Sequence, residues 1–265
     1  MRKNHFFIVL IIIGLFSCSQ RHESFECDKP SGDSNHGKLF LAGPQMLNSQ
    51  YFTDILKMSG IHSEGYTLMI TGEKNLKASY IKRFDEMLNF NELHANHVLG
   101  ITDSGQVSPA SRVAVEHARL IFLALTSREY HNAILDDDKF KASFLAAWKS
   151  GATIVAVADG CDLFGDQVVV TGDDEQESGK YKIRKGLGLV PGVSIDISKF
   201  YEDYQQWIAK NLNSNNTFLG LGEHSMVQVC NSEIVIIEPG SLVIVKNNKE
   251  VDSSQFQPKS KISLN

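Results

Sequence analysis

Residues 151–166, GATIVAVADGCDLFGD, hold the side chains that come nearest to chemistry in type and spacing. An apolar, β-branched run from Thr153 to Val157 stops at Ala158-Asp159-Gly160-Cys161. A strand that turns sharply into a helix exposes one residue at the carboxyl edge of a sheet. Hydrolases place Ser or Cys there, because backbone N–H groups of the turn bind the developing oxyanion. Ala158 has neither hydroxyl nor thiol, so it cannot attack a carbonyl. Cys161, three residues on, could serve as the nucleophile if the turn is shifted, and Asp159 could act as an acid or base. The plainer readings make Cys161 a small packing residue and Asp159 a solvent-facing residue or a cap on the following helix.

A nucleophile also needs a base within hydrogen-bond reach. His36, His62, His94, His97, His117 and His131 are scattered through loops and helix ends and read as surface residues. His224, beside Glu223, is the candidate partner for Cys161. Asp136, Asp137 and Asp138 read as the charged start of a helix, and residues 172–179, GDDEQESG, as a solvated loop without EF-hand spacing. The sequence has no Cys-x-x-Cys or His-x-x-x-His pattern, so neither a metal nor a cofactor is expected. Net charge is −5 with no block of Lys and Arg, which argues against a nucleic-acid partner.

The elements that would position these residues alternate. KLFLAG (38–43), YTLMIT (66–71), HVLGIT (97–102), LIFLAL (120–125) and TIVAVA (153–158) are apolar runs that read as buried strands. Between them, 51–60 and 79–90 carry apolar residues at helical spacing. Ser108-Pro109 forms an N-cap and first-turn pair, and 136–151 has acidic residues first and Lys149 last. Such alternation implies a mainly parallel sheet with helices on both faces, a three-layer αβα sandwich. Residues 199–212 read as one amphipathic helix. FLGLG, SMVQVC, EIVIIEPG and SLVIVKN, at 218–247, read as short antiparallel strands.

At this point the chain resembles the cyanophycinase and dipeptidase E family of serine peptidases. That resemblance implies a class I glutamine amidotransferase-like, flavodoxin-like α/β fold. The family's elbow, Gly-x-Ser-Ala-Gly-Ala, falls without a gap on Ala156-Val157-Ala158-Asp159-Gly160-Cys161, with a strand headed by Gly151. Gly160 matches, and the serine falls on Ala158. The opening strand's Gly-Gly becomes Ala42-Gly43, which with Asp159 and Gly160 would form the oxyanion and elbow region. Gly-Gly-Asp-Gln is replaced by Ala124-Leu125-Thr126-Ser127. Gly186 to Leu189 match, as does Asp196, but the catalytic His falls on Ser198. No Arg follows Arg184, where the family has an Arg-rich stretch. Gly220 and Glu223 are retained. The resemblance covers most of Gly37 to Lys246, and the departures fall on chemical positions. It therefore implies a degenerate active site at Ala158, Ser198 and Glu223, and allows a dimer.

The N-terminus is a separate object. Residues 1–17 have a basic start and an apolar run from Phe6 to Phe16, and read as a signal peptide. Leu15-Phe16-Ser17-Cys18 resembles a bacterial lipobox, which implies lipid on Cys18. Residues 18–36 read as a polar tether, 37–247 as the α/β domain, and 248–265 as a polar, frayed tail. Cys27, Cys161 and Cys230 allow one disulfide and one free thiol, or no pair at all, and spacing does not choose. The expectation is a membrane-anchored envelope lipoprotein that binds a peptide or another envelope protein. A peptidase or amidase with a rearranged site, Cys161 its nucleophile, is the alternative.

Overall fold

The computed structural model describes residues 36–45, 51–61, 65–72, 82, 84–86, 88–89, 96–101, 107–125, 127–171, 181–197, 211, 217–230, 233–246, 249–250 and 256–264. Cys18, Cys27, Thr126, Ser198 and nearly all of the helix expected at 199–212 lie outside them.

Five strands form the parallel body: β1 (Leu39–Ala42), β2 (Thr67–Gly72), β3 (Asn96–Ile101), β4 (Leu120–Leu125) and β5 (Thr153–Ala158). β1, β2, β4 and β5 are buried along their whole length. That burial is why they read as unbroken apolar runs rather than alternating ones. Helix α1 (Tyr51–Ser59) stops at Gly60, whose φ of 65° is the left-handed conformation that a helix stop needs. Helix α2 (Pro109–His117) is capped by Ser108, whose Oγ accepts from the Ser111 N–H at 3.1 Å.

Two helices occupy the stretch before β5. α3 (Glu129–Asp136) was not foreseen. α4 (Asp138–Lys149) is capped by Asp137, whose Oδ1 accepts from the Phe140 N–H at 2.9 Å. The acidic triplet therefore divides into the end of one helix, a cap and the first turn of the next.

The chain continues through β6 (Gly165–Thr171), β7 (Tyr181–Lys185), β8 (Val190–Asp196), β9 (Thr217–Gly220), β10 (Met226–Cys230), β11 (Glu233–Glu238), β12 (Val243–Lys246), β13 (Lys249–Glu250) and β14 (Lys261–Ser263). The first sheet has eight strands in the order β14-β11-β10-β1-β5-β4-β2-β3. The C-terminal strands add to it antiparallel, beginning with β10 on β1. The second sheet was not foreseen: six strands in the order β13-β12-β9-β8-β6-β7. It is mixed, with β8 parallel to β6 and to β9. The strands expected at 218–247 are present but divided between the two sheets.

Side chains alternate across the first sheet and both faces are buried. On one face Phe40, Met69, Phe122 and Val155 pack with Phe52, Ile55 and Leu56 of α1 and with Phe84 and Leu88. On the other face Leu41, Ile70, Leu123 and Ile154 pack with Phe140 and Phe144 of α4, and with Val168, Val193, Ile195 and Leu219 of the second sheet.

The tail beyond residue 247 corrects the expectation of a frayed end. β13 pairs with β12 and β14 with β11, while Phe256 and Leu264 are buried. Those apolar residues are spaced too widely to show a period, but each finds a place in the core. Among the described residues, no helix is long and apolar enough to cross a membrane.

Candidate functional site

The parallel strands end together, and at that edge the chain turns sharply after β5. Ala158 has φ 53° and ψ −139°. An L-residue rarely adopts such a backbone, and holding it there costs about 1–3 kcal/mol. The segment that follows is a short 3-10 helix, Asp159–Phe164, rather than an α-helix, and β6 begins directly after it. Gly160 lets this helix approach β4, since a Cβ there would lie 2.8 Å from the Leu123 carbonyl oxygen. Ala158, with only a methyl side chain, thus stands at a sharp, strained turn at the carboxyl edge of the sheet.

Several sequence-predicted residues gather here. Ala42 pairs with Val157, so the end of β1 lies beside the elbow. The Gly43 N–H donates to the Ser225 carbonyl at 2.8 Å, so this expected oxyanion donor is already engaged. A Cβ on Gly43 would collide with the Gly222 and Glu223 carbonyl oxygens, which explains the glycine. The Glu223 carbonyl accepts from the Gln45 N–H at 3.0 Å, tying the 223–224 turn to the end of β1. Glu223 and His224 are themselves exposed.

Cys161 is fully buried. Its Sγ donates to the Ala156 carbonyl at 3.1 Å and lies 3.5 Å from the Ala42 carbonyl. Burial pushes the thiol well above its ordinary pKa, and the charges of Asp162 and Asp159 add to that. An attacking cysteine needs accessible thiolate, and this environment disfavours both access and ionisation. Asp159, expected to face solvent or cap a helix, instead opens the 3-10 helix with its side chain 19% exposed, 3.9 Å from the Arg128 Nε.

Sequence reasoning missed what lies around the elbow. Arg128, at the start of α3, reaches Asp196 at 2.5 Å and Asp162 at 3.3 Å, as well as Asp159. Asp162 and Asp196 are almost completely buried. Asp162 Oδ1 also accepts from the Ile197 N–H at 3.1 Å. One guanidinium therefore joins the elbow helix to the end of β8. Burial, and then the charge of Asp196, raise Asp162 well above the usual carboxylate range; Arg128 opposes both. Asp162 therefore binds a proton more readily than a free carboxylate does.

His131, read as a surface residue, is fully buried. Its Nε2 lies 2.7 Å from the Asp159 carbonyl, directly after the strained alanine, and Nδ1 has no hydrogen-bond partner among the described residues. Burial lowers its pKa to about 4; the hydrogen bond to Asp159 opposes this, and nearby Arg128 reinforces it. One sequence signal pointed inward: Ile134 and Leu135 follow at helical spacing, and both are buried. Among the described residues no three His, Cys, Asp or Glu side chains are placed to hold a metal ion.

No protein-family model matches the chain, and no curated protein does. Among solved structures, a peptidase from an acI-B1 Actinobacterium superposes with a TM-score of 0.65 at 14% identity, over 86% of this chain and 97% of that one. A Peptidase E-like protein from Listeria monocytogenes EGD-e superposes more loosely, with a TM-score of 0.47 at 12% identity, over 80% and 98%. The chain shares the α/β fold of the actinobacterial peptidase.

Proposed function

We propose that this chain is a cell-envelope lipoprotein whose peptidase-like domain has lost hydrolysis and acts by binding a peptide or another envelope protein. The observation that carries this reading is Ala158: it stands at the strained turn after β5, where a hydrolase elbow would hold its nucleophile, and it carries only a methyl group. The cyanophycinase-like motifs described above place the missing histidine at Ser198. The fold shared with a peptidase supports descent from a hydrolase scaffold. The buried Cys161 thiol weighs against the rearranged-site alternative. Cys230 is disulfide-bonded while Cys161 is free. A structural disulfide suits an oxidising compartment such as the envelope, in keeping with lipid on Cys18.

The test is covalent labelling by serine- and cysteine-directed probes, together with hydrolysis of aspartyl peptides. No labelling of the site and no turnover are expected. Ala158→Ser alone should stay inactive, because an unactivated hydroxyl is a poor nucleophile; Ala158→Ser with Ser198→His is the informative pair. Wild-type turnover abolished by Cys161→Ala would overturn the reading. For the anchor, Cys18→Ser should abolish lipid labelling and membrane retention of the processed protein.

A further inference from the structure

The parallel strands give the first sheet two unlike ends. At their carboxyl ends stand Asp159, Asp162, Asp196 and Glu223, with Arg128 among them. At their amino ends the balance of charge is reversed. Lys38 leads into β1, and its Nζ donates to the Met58 carbonyl at 2.9 Å, which brings the last turn of α1, and Lys57 with it, to this end. Arg119 leads into β4. Its N–H donates to the Tyr66 carbonyl at 3.0 Å, and its own carbonyl accepts from the Thr153 N–H at 2.9 Å. The Tyr66 ring meets His97 edge-on, with centroids 4.9 Å apart. Lys149 ends α4, where the Trp148 carbonyl accepts from the Gly37 N–H at 2.6 Å. His36, Lys57, His97, His117 and Lys149 are exposed. Among the described residues the carboxylates beside them are Glu116, which accepts from the Ser143 hydroxyl at 2.9 Å, Glu233 at the start of β11, and Asp54, one turn from Lys57. Lys57, His117 and Lys149 lie in last helical turns, where the helix dipole favours a cation. Lys38 and Arg119 lie in no helix.

We propose that this amino edge docks on an anionic membrane surface, where Lys38, Lys57, Arg119 and Lys149 meet the headgroups of acidic phospholipids. The proposal rests on the lipid anchor at Cys18 argued above. The N-terminal segment reaches the domain at this same end: the His36 ring stacks on Trp148, with centroids 4.5 Å apart. Residues 18 and 36 are 18 positions apart, a length whose root-mean-square span as a flexible chain is about 20–25 Å. The anchor therefore keeps the basic edge close to the bilayer, and each cation at an anionic surface favours contact about fivefold. A six-residue strand is about 20 Å long, well beyond the Debye length of about 8 Å, so the carboxylates at the other end do not cancel this attraction. The domain then stands with the strained turn at Ala158 facing away from the bilayer, towards any peptide or envelope protein that arrives.

The test is lysine acylation and histidine carbethoxylation of the full lipid-bearing chain on vesicles, read by mass spectrometry, with phosphatidylcholine alone or mixed with phosphatidylglycerol. Lys139 and Lys149 are both exposed and lie at opposite ends of α4, about 15 Å apart. On the anionic vesicles Lys149 should react about fivefold more slowly than on the neutral ones, while Lys139 is unchanged and high salt removes the difference. His97 and His117 should be slowed with Lys149. Lys57→Glu with Lys149→Glu, both on exposed positions, should keep the wild-type circular dichroism and abolish the slowing of the two histidines. Equal reaction of Lys149 on the two vesicles, equal slowing of Lys139, slowing that persists in high salt, or histidines still slowed in the double variant would each overturn the docking face and leave the anchor standing. A chain that floats with neither kind of vesicle would overturn the anchor and the docking face together. None of these outcomes depends on whether the turn at Ala158 is catalytic.

Discussion

Ala158 is the residue at which history and physics can be separated. In a regular strand, Ala→Gly costs roughly 0.5–1 kcal/mol. Here the backbone lies at positive φ, so glycine relieves strain of about 1–3 kcal/mol against about 0.4–1 kcal/mol of chain entropy. Ala158→Gly should therefore leave the protein as stable as wild type or raise stability by up to about 2.5 kcal/mol in urea unfolding. Ala158→Val should destabilise it. A loss on Ala158→Gly equal to that of an ordinary strand alanine would count against the strained elbow. His131 supplies a second residue-scale outcome. Its folded pKa of about 4 lies below the unfolded value of 6.5. Its contribution is thus complete above pH 6.5 and is lost as pH falls from 6.5 through 4, up to about 3 kcal/mol in all. His131→Gln, which keeps a donor for the Asp159 carbonyl but does not titrate, should flatten this part of the stability–pH curve.

At the scale of elements, the 3-10 helix after β5 is held between α3 and β8 by one cation. Arg128 faces Asp159, Asp162 and Asp196 at low exposure. Removing one partner from a buried ionic group costs about 3–5 kcal/mol, so Arg128→Ala should lower the urea midpoint strongly and Arg128→Lys should recover part of the loss. Asp162 behaves oppositely. Its pKa is raised in the folded state, so its contribution is present at acid pH and is lost as pH rises through the folded value. Asp162→Asn keeps an acceptor for the Ile197 N–H and should be neutral or stabilising at pH 7, with any gain fading on acidification. None of this was legible in the sequence. Arg128 and Asp196 lie far apart in the chain, and no local pattern pairs them. Arg128 also begins α3, where a cation opposes the helix dipole, so local rules pointed away from it. The sharp turn after β5 was legible, because an apolar run ending in Ala-Asp-Gly-Cys is a local signal.

Across the whole molecule, the parallel strands could be read because burial on both faces writes an unbroken apolar run into each. The second sheet could not. Its strands β6, β8 and β9 pair in parallel across long connections, and hydrophobic pattern carries no record of partner. The last two strands, β13 and β14, were missed for a related reason: Lys249-Glu250 and Lys261-Ile262-Ser263 are too short to declare a period. Their importance can be measured. Lys259 donates its N–H to the Ile236 carbonyl at 2.7 Å, and the Ile236 N–H donates to the Ser260 carbonyl at 2.9 Å. Phe256 and Leu264 are buried, and each buried side chain of this size contributes about 1.5–3 kcal/mol. Deleting residues 256–265 should therefore cost about 4 kcal/mol or more in chemical unfolding; an unchanged midpoint would return the segment to the status of a tail.

The place of β1 has a consequence for how the molecule is made. The first strand of the domain lies between β5 and β10, at residues 153–158 and 226–230. As the chain leaves the ribosome, Leu39–Ala42 has no neighbour until most of the sequence has been synthesised. Contacts so distant in sequence close slowly, and an unpaired apolar strand is exposed to aggregation meanwhile. The same delay leaves a gap beside β5 in the sheet that β2, β3 and β4 can begin to build, and the gap's far side is closed only when β10 arrives.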